Sequence, residues 1–114
     1  MKIVKDSISI EELKEMSQKM FESIVKAVVD VEQEIMVVDA AFHSDEEALL
    51  LENESKQENL WGINLRPEHF GSDDFVVFDS MINIRPRQGN RSRSIENLQL
   101  QKTIKAIVKK LVKP

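Results

Sequence analysis

Cysteine and tyrosine are absent from this 114-residue chain, and glycine and proline occur only three times each. Without cysteine there is no disulfide framework and no thiolate to serve as nucleophile or metal ligand. The glycines stand alone at 62, 71 and 89, which excludes a glycine-rich phosphate loop and a nucleophile elbow. One tryptophan and five phenylalanines leave few rings on which nucleobases could stack. No apolar run approaches the roughly 18 residues of a membrane span. The start, Met1-Lys2-Ile3-Val4-Lys5-Asp6, lacks the apolar stretch of a secretory signal. The chain is therefore expected to be cytoplasmic, with no membrane partner.

What is present fits one domain, residues 1–114. The 41% apolar content is near the globular norm, and a chain of this length can bury about two thirds of its unfolded surface. Charge is unevenly spread. Residues 85–114 carry nine basic side chains against Glu96 alone, a net of +8, while residues 1–84 carry seven bases against nineteen acids, a net of −12. Either the two parts neutralise each other, within the molecule or across a homodimer, or the basic part meets an anionic partner.

Ser9 and Glu12 form a capping-box pattern ahead of an amphipathic stripe, Ile10, Leu13, Met16, Met20 or Phe21, and Ile24. This is read as the first helix. From Val25 the period becomes two: Val25, Ala27, Val29 and Val31 alternate with Lys26, Val28 and Asp30. A second β-rich run, Ile35 to Phe42, completes a hairpin, and Leu60 to Leu65 reads as another strand, with Trp61 in the core. The longest strand is expected over Phe75 to Arg85. Its alternation sets Val76, Phe78, Ser80, Ile82 and Ile84 inward, with Asp79, Met81, Asn83 and Arg85 outward, and Pro86 ends it. A last helix starts at Leu98 behind the cap residue Asn97, with Leu100, Ile104, Ile107, Val108 and Leu111 as its buried stripe.

The segment from Ser44 to Glu52 has two readings. Ser44-Asp45-Glu46-Glu47 is a capping-box pattern and Ala48-Leu49-Leu50-Leu51 is strong in helix propensity. Yet the apolar stretch is four residues long, and a strand over Ala48–Glu52 could pair with Leu60–Leu65. The strand is preferred. The fold class is then α+β: an antiparallel sheet of four to five strands, with an N-terminal and a C-terminal helix packed on one face.

Three blocks carry a resemblance: His43-Ser-Asp-Glu-Glu-Ala-Leu-Leu-Leu-Glu52, Ser55-Lys-Gln-Glu-Asn-Leu-Trp-Gly-Ile-Asn64, and Ser80-Met-Ile-Asn-Ile-Arg-Pro-Arg-Gln-Gly-Asn-Arg-Ser92. They resemble the signature blocks of a family of small uncharacterised prokaryotic proteins, a domain of unknown function. The likeness implies a stand-alone domain and brings no activity, cofactor or partner. Where members of that family are glycine-rich, this chain has Glu34 and Asp39-Ala40, which weakens the expectation of the first hairpin turn.

Two constellations could carry chemistry. In Arg85-Pro-Arg87-Gln-Gly-Asn90-Arg91-Ser92-Arg93, four guanidiniums surround a turn on Gly89-Asn90. Arginine offers a planar fork for phosphate or carboxylate, and Ser92 with the turn amides could complete an anion nest. The opposing reading is that Arg85 or Arg91 pairs with acids of the N-terminal part. The second constellation is His43, Asp45 and Glu47, which share one face if the segment is a strand and could converge on a divalent metal or act as acid and base. On a capped helix they would not. Asn64 and Asn83 occupy strand positions where asparagine is disfavoured, so they either face solvent or join a polar pocket with His43, Asp45 and Glu47 beside Arg85. His69 is read as a solvated loop residue.

Two functions stay open. One is a binding module whose arginine-rich turn engages an anionic partner, a nucleic acid or an acidic protein. The other is a small metal-dependent hydrolase of phosphoesterase or nuclease type. Whether the chain is an enzyme is undecided; no metal or cofactor is assigned, and either a monomer or a homodimer is expected.

Overall fold

A computed structural model describes residues 1–20 and 23–114. Its main sheet is antiparallel and five-stranded. β1 (Lys2–Val4), β3 (Val25–Asp30), β4 (Ile35–Val38), β5 (Leu60–Leu65) and β6 (Val76–Val77) lie in the order β1-β4-β3-β5-β6. Two short strands, β2 (Ile8–Ser9) and β7 (Val112–Lys113), pair in parallel outside it.

α1 (Ile10–Gln18) is capped as expected, the Ser9 hydroxyl accepting from the Glu12 amide at 3.1 Å. The Glu12 carboxylate instead accepts from Lys2 Nζ at 2.7 Å, which ties the helix to β1. α3 (Leu98–Leu111) starts behind Asn97, whose Oδ1 accepts from the Leu100 amide at 3.0 Å. α1 and α3 cover one face of the sheet: Leu13, Met16, Ile104, Ile107 and Leu111 pack with Val25, Ala27, Val29, Met36 and Val38. The expected stripe residue Phe21 lies outside the described residues.

The segment preferred as a strand is a helix, α2 (His43–Glu52). Its propensity prevails because the sheet has a second apolar face to offer. Val28, Ile35, Val37 and Leu60 point away from α1 and α3, and Leu50 and Leu49 of α2 cover them. The Ser44 capping box does not form: the helix begins at His43, and no side chain caps it. β3 is buried on both faces, so Val28 is as inaccessible as Val29.

The β3–β4 hairpin forms despite its lack of glycine. Glu34 at φ 57° and Asp39 at φ 72° adopt the left-handed conformation at the sites read as glycine-rich in the family. Buried Asp30 holds the turn, accepting from the amides of Glu32 and Gln33 at 2.9 and 3.0 Å and from the Ser55 hydroxyl at 2.6 Å.

The long strand over Phe75 to Arg85 does not form. β6 ends at Val77, and the chain then makes a 3-10 turn at Met81–Asn83 and another at Pro86–Gln88. The faces expected from alternation are consequently wrong at the end: Asn83 is fully buried, and Ile84 is 40% exposed.

Candidate functional site

β6 pairs only with Asn64 and Leu65, so the outer edge of β5 from Leu60 to Ile63 needs other partners for its peptide groups. Side chains supply them. The Asn83 carboxamide donates to the Gly62 carbonyl at 2.9 Å and accepts from the Gly62 amide at 2.8 Å, imitating the peptide of a neighbouring strand. Gly62 also lets the following segment close on the sheet, since a Cβ there would sit 2.6 Å from Ser80 Cβ. Arg85 donates to the carbonyls of Leu60, of Gln57 at 2.7 Å and of Ile82 at 2.9 Å. Its guanidinium lies 4.5 Å from the centre of the Trp61 ring and 3.6 Å from Glu47 Oε2, both members of that ion pair being largely buried. Burial lowers the Arg85 pKa and the Glu47 carboxylate opposes that shift. Arg85 is thus an internal ion-pair partner, the structural alternative for this residue.

Asn90 is internal too. Its Nδ2 donates to the carbonyls of Asn83 and Ser94, each at 2.7 Å, and its Oδ1 accepts from the Glu96 amide at 2.8 Å. The nest expected around Ser92 exists, but an anion of the chain itself fills it: Glu96 Oε2 accepts from the amides of Arg91 at 2.7 Å and Ser92 at 3.1 Å. Those hydrogen bonds, led by that of Arg91, hold the Glu96 carboxyl below its ordinary pKa. The lone acid of the basic part had been legible in the sequence; its position opposite the turn had not. Arg87 and Arg91 project into solvent, while Arg93 Nε donates to Asp79 Oδ1 at 2.7 Å.

The helical form of residues 43–52 separates the His43 triplet. His43 and Glu46 turn towards the sheet, Glu47 is half-buried beside Arg85, and Asp45 is exposed. Convergence of His43, Asp45 and Glu47 on a metal required the strand. Among the described residues no group of three His, Asp or Glu side chains is placed to hold a metal ion.

His43 Nε2 lies 2.7 Å from the Ile63 carbonyl, which can only accept, so Nε2 carries the proton and Nδ1 keeps its lone pair. Burial lowers the pKa of this imidazole, and the hydrogen bond to Ile63 opposes the shift. His43 and Asn64 line one groove of about 320 Å³ together with Lys26, Asp79 and Arg93. Phe42 and Met81, 64% and 65% exposed, belong to the same groove. Asn64 Nδ2 donates to the Asp79 carbonyl at 3.3 Å, but its Oδ1 is buried with no donor among the described residues. Asn83, Arg85 and Asn90 lie outside this lining. His69 is less solvated than expected, its Nε2 accepting from Arg66 at 2.9 Å.

Glu46 was not singled out in the sequence. It is fully buried, and among the described residues neither carboxyl oxygen has a hydrogen-bond partner. Burial pushes its pKa up to about 10, the nearby Ala40 amide offsetting this only in part.

These features describe an α+β protein in which Asn83 and Arg85 serve the sheet edge and Asn90 and Glu96 hold the loop that follows. The chain belongs to the family described as "Protein of unknown function (DUF5674)", whose model matches residues 2–111. That match bears out the resemblance to an uncharacterised family. Neither a curated protein nor a solved structure matches the chain.

Proposed function

We propose that this protein is a binding module that takes a small anionic ligand in the groove lined by Lys26, His43, Asn64, Asp79 and Arg93. The observation that carries the reading is a groove that brings two cations, Lys26 and Arg93, beside Asn64, whose Oδ1 is buried with no donor among the described residues. An orphan buried acceptor costs about 1–3 kcal/mol, which a ligand donor would recover. Lys26 and Arg93 suit a carboxylate or phosphate. Asn64 Oδ1, the Nδ1 lone pair of His43 and the carboxylate of Asp79 suit a hydroxyl or ammonium group on the same molecule. The ligand class is therefore a small phosphate or carboxylate that also carries a hydrogen-bond donor, and Phe42 and Met81 offer it apolar contact.

This reading keeps the anionic partner expected of the basic segment and moves its recognition from the nest to Arg93. A nucleic acid or acidic protein would instead have to use Arg87 and Arg91. Titration of the labelled protein with O-phosphoserine, with inorganic phosphate and with a short single-stranded oligonucleotide separates the cases. O-phosphoserine is expected to shift the Asn64 side-chain amide resonances, and Arg93→Ala to weaken its binding at least tenfold. Binding of the oligonucleotide alone, lost on Arg87→Ala and Arg91→Ala, would defeat the proposal.

A further inference from the structure

A second groove lies between α3 and the segment Phe70–Val76, enclosing about 340 Å³. Its floor belongs to the core: Phe75, Val76, Val108 and Val112 are all buried. Phe70 forms one wall, 39% exposed and edge-to-face with Phe75 at 5.2 Å and 82°. Gly71, at φ 92°, leaves the loop open beside it, with no atom within 4 Å of where a Cβ would stand. The opposite wall is α3, which presents Lys105 and Lys109 one turn apart on the side that also carries Val108, and Val112 of β7 follows directly after the helix. Neither lysine forms an ion pair with a carboxylate among the described residues, and Lys105 Nζ rests 5.8 Å from the Phe78 ring centre.

We infer that this groove binds a small amphiphilic anion, an aliphatic or aromatic carboxylate. Its apolar body would lie on Phe75, Val76, Val108 and Val112, and its charge would meet Lys105 and Lys109. The volume is near the lower end for ligand sites, so the ligand is small. An apolar floor with a pair of ammoniums on one rim favours a ligand that has both characters. A neutral molecule would bury the apolar surface yet leave two cations partly desolvated without a counter-charge, and a cation would be repelled. Asp73, the one acid among the lining residues, comes from the loop side and directs the carboxylate towards α3. The site shares no residue with the groove of Lys26 and Arg93.

The test uses the full chain, octanoate and octylammonium as probes, and amide chemical shifts as the readout. Octanoate is expected to shift the amides of Gly71, Ser72, Val108 and Val112, and octylammonium to leave them unmoved at the same concentration. Lys105→Glu combined with Lys109→Glu, both on the helix surface, should weaken octanoate binding at least tenfold while the melting temperature stays within a few degrees. Phe70→Ala should weaken it without affecting the charge preference. Equal shifts from both probes, shifts confined to the rest of the molecule, or undiminished binding by the double variant would each overturn the inference.

Discussion

Replacing Glu46 with glutamine should stabilise the protein, and the gain should grow with pH. The carboxyl is fully enclosed, without a hydrogen-bond partner among the described residues, and its pKa is pushed up to about 10 from an ordinary 4.5. A raised pKa means that the folded state keeps a proton which the unfolded state releases. The stability this group contributes is therefore complete below about pH 4.5 and is lost as pH rises towards 10. Each pH unit within that window costs about 1.4 kcal/mol. The loss is under about 1 kcal/mol at pH 5 and about 3 kcal/mol at pH 7, a large fraction of the 5–15 kcal/mol that holds a domain together. Glutamine has nearly the same shape and no titration. Denaturant unfolding followed by Trp61 fluorescence, at pH 5, 7 and 8, should show the variant and the wild type converging at pH 5 and separating by about 3 kcal/mol at pH 7. Parallel pH profiles for the two proteins would show that the Glu46 carboxylate finds compensation when ionised, and the reasoning from its burial would fail.

Further outcomes follow from the sheet edge and the groove. Arg85→Ala should destabilise the fold by about 3 kcal/mol or more, because it strands Glu47 and the carbonyls of Gln57, Leu60 and Ile82, whereas exposed Arg87→Ala should stay within about ±0.5 kcal/mol; equal effects would contradict the division between the two arginines. Gly62→Ala should cost about 1–3 kcal/mol through its clash with Ser80, measured by thermal unfolding, and a neutral result would mean that the 80–83 turn is not seated on the sheet. The lowered His43 pKa has the opposite sign from Glu46: its contribution is complete above about pH 6.5 and declines as pH falls, since the unfolded chain then binds a proton more readily. Because Glu46 favours the folded state as pH falls, His43→Gln should make the gain in stability from pH 7 to pH 5 larger than in the wild type, and an identical pH dependence in the two proteins would refute the assignment.

The parts legible in the sequence were those fixed by local chemistry. The Ser9 and Asn97 caps, the α3 stripe and the hairpin of β3 and β4 depend on neighbours a few residues apart. The parts that were not legible depend on what lies across the fold. Alternation from Val76 to Ile84 looks like a strand, but Asn83 and Arg85 use side chains to do the edge pairing that a continued β6 would have done. Ala48–Glu52 could be assigned only once a second apolar face of the sheet was known to need cover. Among the site residues, His43 and Asn64 do share a groove, while Asp45 is separated from them by helical periodicity and Asn83 by its role under Gly62. Arg93 adjoins the turn in sequence, and its pairing with Asp79, fourteen residues away, joins it to the groove.

A crystal structure of the protein grown with O-phosphoserine tests the central claim most directly. The account predicts a phosphate group within hydrogen-bonding distance of Lys26 Nζ and the Arg93 guanidinium, with the ligand ammonium facing Asn64 Oδ1 or Asp79. An unoccupied groove at saturating ligand, or a phosphate held by Arg87 and Arg91 instead, would contradict it.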